Sequence, residues 1–311
     1  MSNGKSGIIS LVIVTYNSEK VIEKCIQSIK KNNYAEDKTE IFVVDNNSQD
    51  KTKEVVRRNF KDVKIVKLSK NFGYAYACNR GTEKASGAII ILLNPDVLIA
   101  NNFLKEVHNF IKRNYFIGGL APRMTDIKGT MLTYPKIPTI FNRIYKYSGL
   151  YGLLHHDEVL YHNLKGIETP TVINNIEGPV VIFPRFVFSK IGLLNESFFL
   201  THELTEFSLR IQRSGLKLYY LPSAKITHLI SKSTGTSAER ILTFVHKAEM
   251  QFFRISHGKI KSFLVRTVII LLLLIKIPFL FVRERMMKCR APAFNSRVWE
   301  NFKLLKLFFG K

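Results

Sequence analysis

Along the first hundred residues, apolar positions switch between two periods. Ile8-Ile-Ser-Leu-Val-Ile-Val14 is a nearly unbroken β-branched run, the pattern of a strand buried on both faces. Asn17 and Ser18 follow, either of which suits a helix N-cap, and then Val21, Ile22, Cys25, Ile26 and Ile29 recur at helical spacing. Glu40–Val44 predicts a second strand, closed by the polar turn Asp45–Asp50, with a helix near residues 53–59. Val63–Leu68 predicts a third strand, Tyr74–Ala85 a helix, and Ala88–Leu93 a fourth strand that stops at Asn94-Pro95-Asp96. Phe103, Leu104, Val107, Phe110 and Ile111 then mark the inward face of another helix. Repeated strand–helix units predict a parallel sheet covered on both faces. Ligands of such sheets bind beyond the carboxyl ends of the strands. Three polar clusters fall at those ends: Thr15-Tyr16-Asn17, Asp45-Asn46-Asn47-Ser48 and Asn94-Pro95-Asp96. Each alone reads as a turn, because Asn, Asp and Ser are turn formers; together on one edge they read as a site.

The pattern then weakens. Residues 125–171 are aromatic and basic with no lasting period, and predict an insertion. His155-His156-Asp157-Glu158 within it is a solvated loop rather than a metal site, since adjacent residues do not converge on one ion. Val172–Pro184 returns to strand character, and Phe186–Gly192 to a short helix. The last 53 residues change character again. Between Lys259 and Lys311 twelve basic residues face only Glu284 and Glu300, and the same stretch holds the longest apolar run, Thr267–Ile275. The 16 residues between Arg266 and Arg283 would span about 24 Å as a helix, short of the ~30 Å hydrocarbon core of a bilayer. Helices lying in the membrane interface, with their cations on anionic head groups, fit that pattern. The run from Phe302 to Phe309, interleaved with Lys303 and Lys306, repeats it.

Composition narrows the class. A chain of 311 residues, 46% hydrophobic and 23% charged, excludes a disordered or collagen-like protein and is long enough for a sizeable core. The net charge of +23 calls for a polyanionic partner: nucleic acid, an anionic membrane or phosphorylated substrates. No nucleic-acid motif accompanies it, and the excess lies in an apolar tail, so nucleic acid is set aside. Three cysteines without a CxxC pair point to a reducing cytosol, and the polar Met1–Gly7 stretch does not read as a signal peptide.

Six stretches in fixed order carry a family resemblance: Ser10–Ser18, Val43–Thr52, Asn71–Gly81, Leu92–Val97, Phe198–Arg210 and Leu221–His228. The chain resembles the inverting glycosyltransferases of family 2 with the GT-A fold, and within them the rhamnosyltransferase-like enzymes. That resemblance implies an α/β, mostly parallel sheet flanked by helices over residues 1–232, with 125–171 on the acceptor side. Residues 233–311 would form a basic, apolar helical region that associates with the membrane. It implies transfer of a sugar, rhamnose first, from dTDP-rhamnose or a UDP-sugar to a lipid-linked or surface-polysaccharide acceptor. The protein would then be cytoplasmic and peripheral at the inner face of the cell membrane, on an anionic surface.

The resemblance also distributes roles. A divalent cation, Mg²⁺ or Mn²⁺, would neutralise the departing diphosphate, held by Asp96 with His228 as a further ligand. The family's DxD triplet reads Asn94-Pro95-Asp96 here. Thr15, Tyr16 and Asp45 would line the base and ribose pocket, Asn71, Gly73 and Asn79 would close over the donor, and Asn17 and Asn94 would be further donor-binding residues. Inversion needs one general base to take the acceptor's proton. The family's Glu-Asp-x-Asp reads Glu203-Leu204-Thr205-Glu206, so the candidates are Glu203 first and Glu206 second. The missing acid at Leu204 also opens an alternative, a weakened or inactive paralogue that binds donor or partner at the membrane.

Overall fold

The computed structural model describes residues 5–32, 34, 36–148, 157–229, 238–286, 302 and 305. The final hydrophobic–basic run is therefore outside the described residues except for Phe302 and Leu305, as are Cys289, His155 and His156. Two compact units divide the chain: residues 1–136 with 162–237, and residues 137–161 with 238–311.

The first unit is built on a sheet of ten strands among the described residues. They are β1 (Lys5–Thr15), β2 (Thr39–Asp45), β3 (Lys64–Lys67), β4 (Gly87–Leu93), β5 (Val97–Ile99), β6 (Ile117–Thr125), β7 (Met131–Leu132), β8 (Thr171–Ile173), β9 (Val180–Pro184) and β10 (Lys217–His228). Their order is β3-β2-β1-β4-β9-β6-β10-β5, with β7 on β6 and β8 on β10. The parallel half is the one the sequence predicts: β3, β2, β1 and β4 run together, with Ile13 opposite both Val43 and Leu93. The remainder corrects the expectation of a mostly parallel sheet. β9 lies antiparallel to both β4 and β6, and β5, β7 and β8 also pair antiparallel, so the sheet is mixed. A buried run such as Val180–Pro184 has the same composition whichever way it points, and direction is set only by its neighbours. The consequence for function is that β1, β2, β4, β6 and β10 end at one edge, while β9 begins there.

Helices α1 (Ile22–Lys30), α2 (Thr52–Asn59), α3 (Tyr74–Lys84), α4 (Phe103–Arg113), α6 (Arg185–Ile191) and α7 (Glu203–Arg213) flank this sheet. The core is continuous, from Ile9, Val12 and Ile91 to Phe183, Phe188 and Phe207. Phe207 stacks on Phe188 at 5.5 Å and meets Phe183 edge-on at 5.1 Å, which seats α7 on the sheet. Cys25 and Cys78 are free and fully buried, and burial together with the Asp96 charge pushes the Cys25 thiol up to about 12. Both are packing residues rather than nucleophiles.

The second unit contains α5 (Ile140–Ser148), α8 (Ala238–His257) and α9 (Lys259–Met286). Residues 137–161 thus group with the C-terminal helices. Inside the unit, Arg143 Nε lies 2.7 Å from Glu249 Oε1, and the Tyr147 hydroxyl lies 2.7 Å from His246 Nδ1. No helix among the described residues is long and apolar enough to cross a membrane.

Candidate active site

The strand-end edge collects three groups of polar side chains. In the first, β1 hands Thr15 directly to the turn after β2: Asn46 N–H donates to the Thr15 carbonyl at 2.8 Å. Asn17, in the left-handed region at φ 52°, takes the Ser48 hydroxyl on its N–H at 3.0 Å and accepts the Gln49 N–H at 2.8 Å. Tyr16 between them is half-buried. Asp45 is buried, accepts the Ser48 N–H at 3.2 Å and sits 3.5 Å from Lys53 Nζ. The Asn46 amide reaches across to Asn71 Oδ1 at 2.8 Å and to the Gly73 carbonyl at 3.2 Å. Thus Thr15, Asn17, Asp45, Asn71 and Gly73 belong to one hydrogen-bonded patch. Its central members, Asn46 and Ser48, lie in the polar cluster that the sequence places at this edge, and the resemblance gives them no individual role.

Gly73 is required by its surroundings. Its φ is +92°, and an added Cβ would lie 2.8 Å from Phe199 Cα and nearer still to the Phe199 carbonyl oxygen. That close approach lets Tyr74 N–H donate to the Phe199 carbonyl at 2.9 Å, joining the start of α3 to the loop before α7.

The second group is the turn after β4. Asn94 N–H donates to the Pro179 carbonyl at 2.8 Å, and its own carbonyl faces the Cys25 thiol at 3.8 Å. Asp96 is buried, and His228 Nε2 stands 3.4 Å from its Oδ2. The two meet because β10 lies antiparallel to β5 with His228 opposite Val97. Among the described residues no cluster of three or more His, Cys, Asp or Glu side chains forms a closed metal cage. A carboxylate and an imidazole are both ligand types that a divalent cation accepts.

The third group is the first turn of α7. Glu206 is bound on both carboxylate oxygens by Arg210 Nε, at 2.9 and 3.0 Å, and Arg210 is itself fixed by the Ile191 and Leu193 carbonyls. Glu203 differs. It is 4% exposed, and its Oε2 has no hydrogen-bond partner. Burial, and then the nearby Glu177 charge, push its carboxyl up to about 8. Leu204, where the resemblance leads one to expect an acid, is packed in the hydrophobic core.

Asn79 stands apart from all three groups. Its amide donates to the Leu194 carbonyl and to Glu196 Oε1, both at 2.9 Å, and its oxygen accepts the Leu194 N–H at 3.1 Å. It braces α3 against the loop after α6.

A family model described as Glycosyl transferase family 2 matches residues 10–169, just over half the chain. The chain belongs to glycosyltransferase family 2. This glycosyltransferase is 27% identical over 215 residues to the Haloferax volcanii low-salt glycan biosynthesis hexosyltransferase Agl10, a match that covers 68% of this chain and 63% of that one. It is 23% identical over 271 residues to the Mycobacterium tuberculosis N-acetylglucosaminyl-diphospho-decaprenol L-rhamnosyltransferase, covering 81% of this chain and 85% of that one. Among solved structures, the Pyrobaculum calidifontis mannosyltransferase PcManGT in complex with GDP-Man and Mn²⁺ superposes with a TM-score of 0.59 at 17% identity, covering 96% of this chain and 85% of that one. S. aureus TarS superposes with a TM-score of 0.56 at 17% identity, covering 86% of this chain and 43% of that one. These structural likenesses establish the GT-A-like α/β fold of the glycosyltransferase.

Proposed function

We propose that this glycosyltransferase transfers a sugar, with inversion, from a nucleotide diphosphate donor to a lipid-linked glycan acceptor. The observation that carries the reading is the meeting of Asp96 and His228 at 3.4 Å on the edge where the strand-end clusters gather. Asp96 and His228 would hold Mg²⁺ or Mn²⁺, which would offset the negative charge that develops on the departing diphosphate. Thr15, Tyr16 and Asp45 bind the nucleoside, with Tyr16 offering a ring face and Asp45 a carboxylate. Asn17, Asn71, Gly73 and Asn94 shape the donor side of the edge, and Asn79 supports it through α3.

Glu203 is the general base in this reading. The acceptor oxygen forms its bond to the anomeric carbon as the bond to the diphosphate breaks, and the electron pair leaves on the diphosphate. The acceptor's hydroxyl proton passes to the Glu203 carboxylate. Glu206 is the weaker candidate because both its oxygens are engaged by Arg210. The mycobacterial relative's name, an N-acetylglucosaminyl-diphospho-decaprenol L-rhamnosyltransferase, favours a polyprenyl-diphosphate-linked acceptor and a rhamnose donor; dTDP-rhamnose is the first donor of this reading and a UDP-sugar the second.

The second unit supports a peripheral seat on an anionic membrane. Along α9 a buried row of Val265, Ile269, Leu273 and Ile277 faces the unit's interior. The opposite row, Ile260, Phe263, Leu264, Leu271, Leu274 and Ile275, is exposed. At 100° per residue, Lys259 and Arg266 flank that apolar row on one side and Lys261 on the other. An exposed apolar stripe between cations is the arrangement of a helix lying in a lipid interface.

The test is transfer from labelled dTDP-rhamnose and UDP-sugars to bacterial lipid extract, with calorimetry of nucleotide diphosphate binding in Mn²⁺. Product from one donor and cation-dependent binding are expected. No transfer from any nucleotide sugar, together with no nucleotide binding, would overturn the reading.

A further inference from the structure

The corner between β9 and α7 contains an acid outside every family stretch noted in the sequence. Glu177 precedes β9, two residues before Pro179, whose carbonyl receives the Asn94 N–H. It is therefore on the same edge as Asp96. Its Oε1 accepts the His202 N–H at 3.0 Å, and its Oε2 accepts the Thr205 hydroxyl. Thr205 Oγ1 is also held by the Asn175 amide at 3.1 Å.

These contacts bracket Glu203. One falls on the residue before it and the other two residues after it. Helix α7 needs such help. It begins from two left-handed residues, Thr201 at φ 66° and His202 at φ 65°, and no side chain of its own caps it. Left-handed non-glycine residues persist only where neighbours over-determine them. A carboxylate at the first turn satisfies an orphan N–H and complements the helix dipole.

We propose that Glu177 is a positioning residue for transfer: it fixes the first turn of α7 and thereby sets both the place and the readiness of Glu203. This rests on the assignment of Glu203 as base. Glu203 is otherwise faced by Tyr74 and Cys78 from α3, and on its own helix Glu206 is neutralised by Arg210. Glu177 is then the anion beside Glu203, and its charge resists Glu203's ionisation.

Two substitutions separate placement from charge. Glu177→Gln keeps a hydrogen-bonding side chain of the same shape and removes the charge. Its pH–kcat profile should move to lower pH by about half a unit or more, because removing a nearby like charge eases ionisation of the base. Glu177→Ala frees the turn as well, and should lower kcat by about tenfold or more with nucleotide affinity unchanged, the mark of lost alignment. If Glu177→Gln abolishes transfer as fully as Glu203→Gln, then Glu177 is itself the base and the positioning role falls. It falls too if neither variant moves the profile or kcat. A readout independent of activity is the pH dependence of thermal stability between pH 5 and 9. Glu177→Gln should shift its inflection to lower pH, and an unchanged curve overturns the coupling. Absence of transfer by the unmodified protein would instead defeat the proposed function and leave the stability curve to judge Glu177.

Discussion

His228 Nε2 lies 3.4 Å from Asp96 Oδ2, across the antiparallel pairing of β10 with β5 that sets His228 opposite Val97. One register brings these two side chains together from distant parts of the chain, and any slip of β10 would separate them. Asp96→Ala and His228→Ala should each remove the Mn²⁺-dependent part of nucleotide diphosphate binding. Calorimetry with and without the cation measures this, and binding that stays cation-dependent in both variants would contradict the assignment.

Glu203 and Glu206 share one helical turn but not one set of contacts: Glu203 Oε2 has no hydrogen-bond partner, while Arg210 Nε holds both oxygens of Glu206. Glu203→Gln should lower kcat by about 10²–10⁴-fold with donor affinity retained, the usual range for loss of a general base. Glu206→Gln should act through stability, costing about 1.5–3 kcal/mol as the charged bonds to Arg210 are lost. Transfer assays and chemical denaturation of the two variants distinguish these outcomes.

The raised Glu203 carboxyl makes a pH prediction with a definite sign. A base must be ionised to accept a proton, so kcat should rise as pH increases toward about 8 and level off above it. Stability should run the other way. Between the ordinary carboxyl value of 4.5 and about 8, the folded protein holds a proton that the unfolded chain has released. Stability is therefore greatest below that window and declines through it, and Glu203→Gln should flatten the decline. Thermal melts across pH 4 to 9 provide the check, the range being set to bracket about one unit beyond each value.

Gly73→Ala should destabilise the protein and weaken transfer together. A Cβ at φ +92° is strained by about 1–3 kcal/mol before its collision with the Phe199 backbone is counted. The collision pushes α3 away from the loop that leads into α7. A melting temperature equal to that of the unmodified protein would show that the loop is free to retreat.

Phe263→Glu combined with Leu271→Glu tests the exposed row of α9. Both side chains are more than half exposed, so folding should be unaffected. Sedimentation with vesicles containing anionic lipid should fall sharply, and unchanged sedimentation would remove the support for a membrane seat.

Periodicity and motif order alone determined the parallel half of the sheet, the helices between its strands and the polar clusters at its edge. Those features are local: a β-branched run such as Ile8–Val14 or a stripe such as Val21–Ile29 reports its own burial whatever lies across from it. Direction and partnership are not local. Only the tertiary structure turned β9 against β4, set His228 beside Asp96, committed Asn79 to the Leu194 loop and occupied Glu206 with Arg210. Likewise Glu177, an unremarkable acid before a Gly-Pro turn, matters because folding carries it to the first turn of α7. A carboxylate's chemistry depends on which charges and donors surround it in space, and linear order does not encode those neighbours.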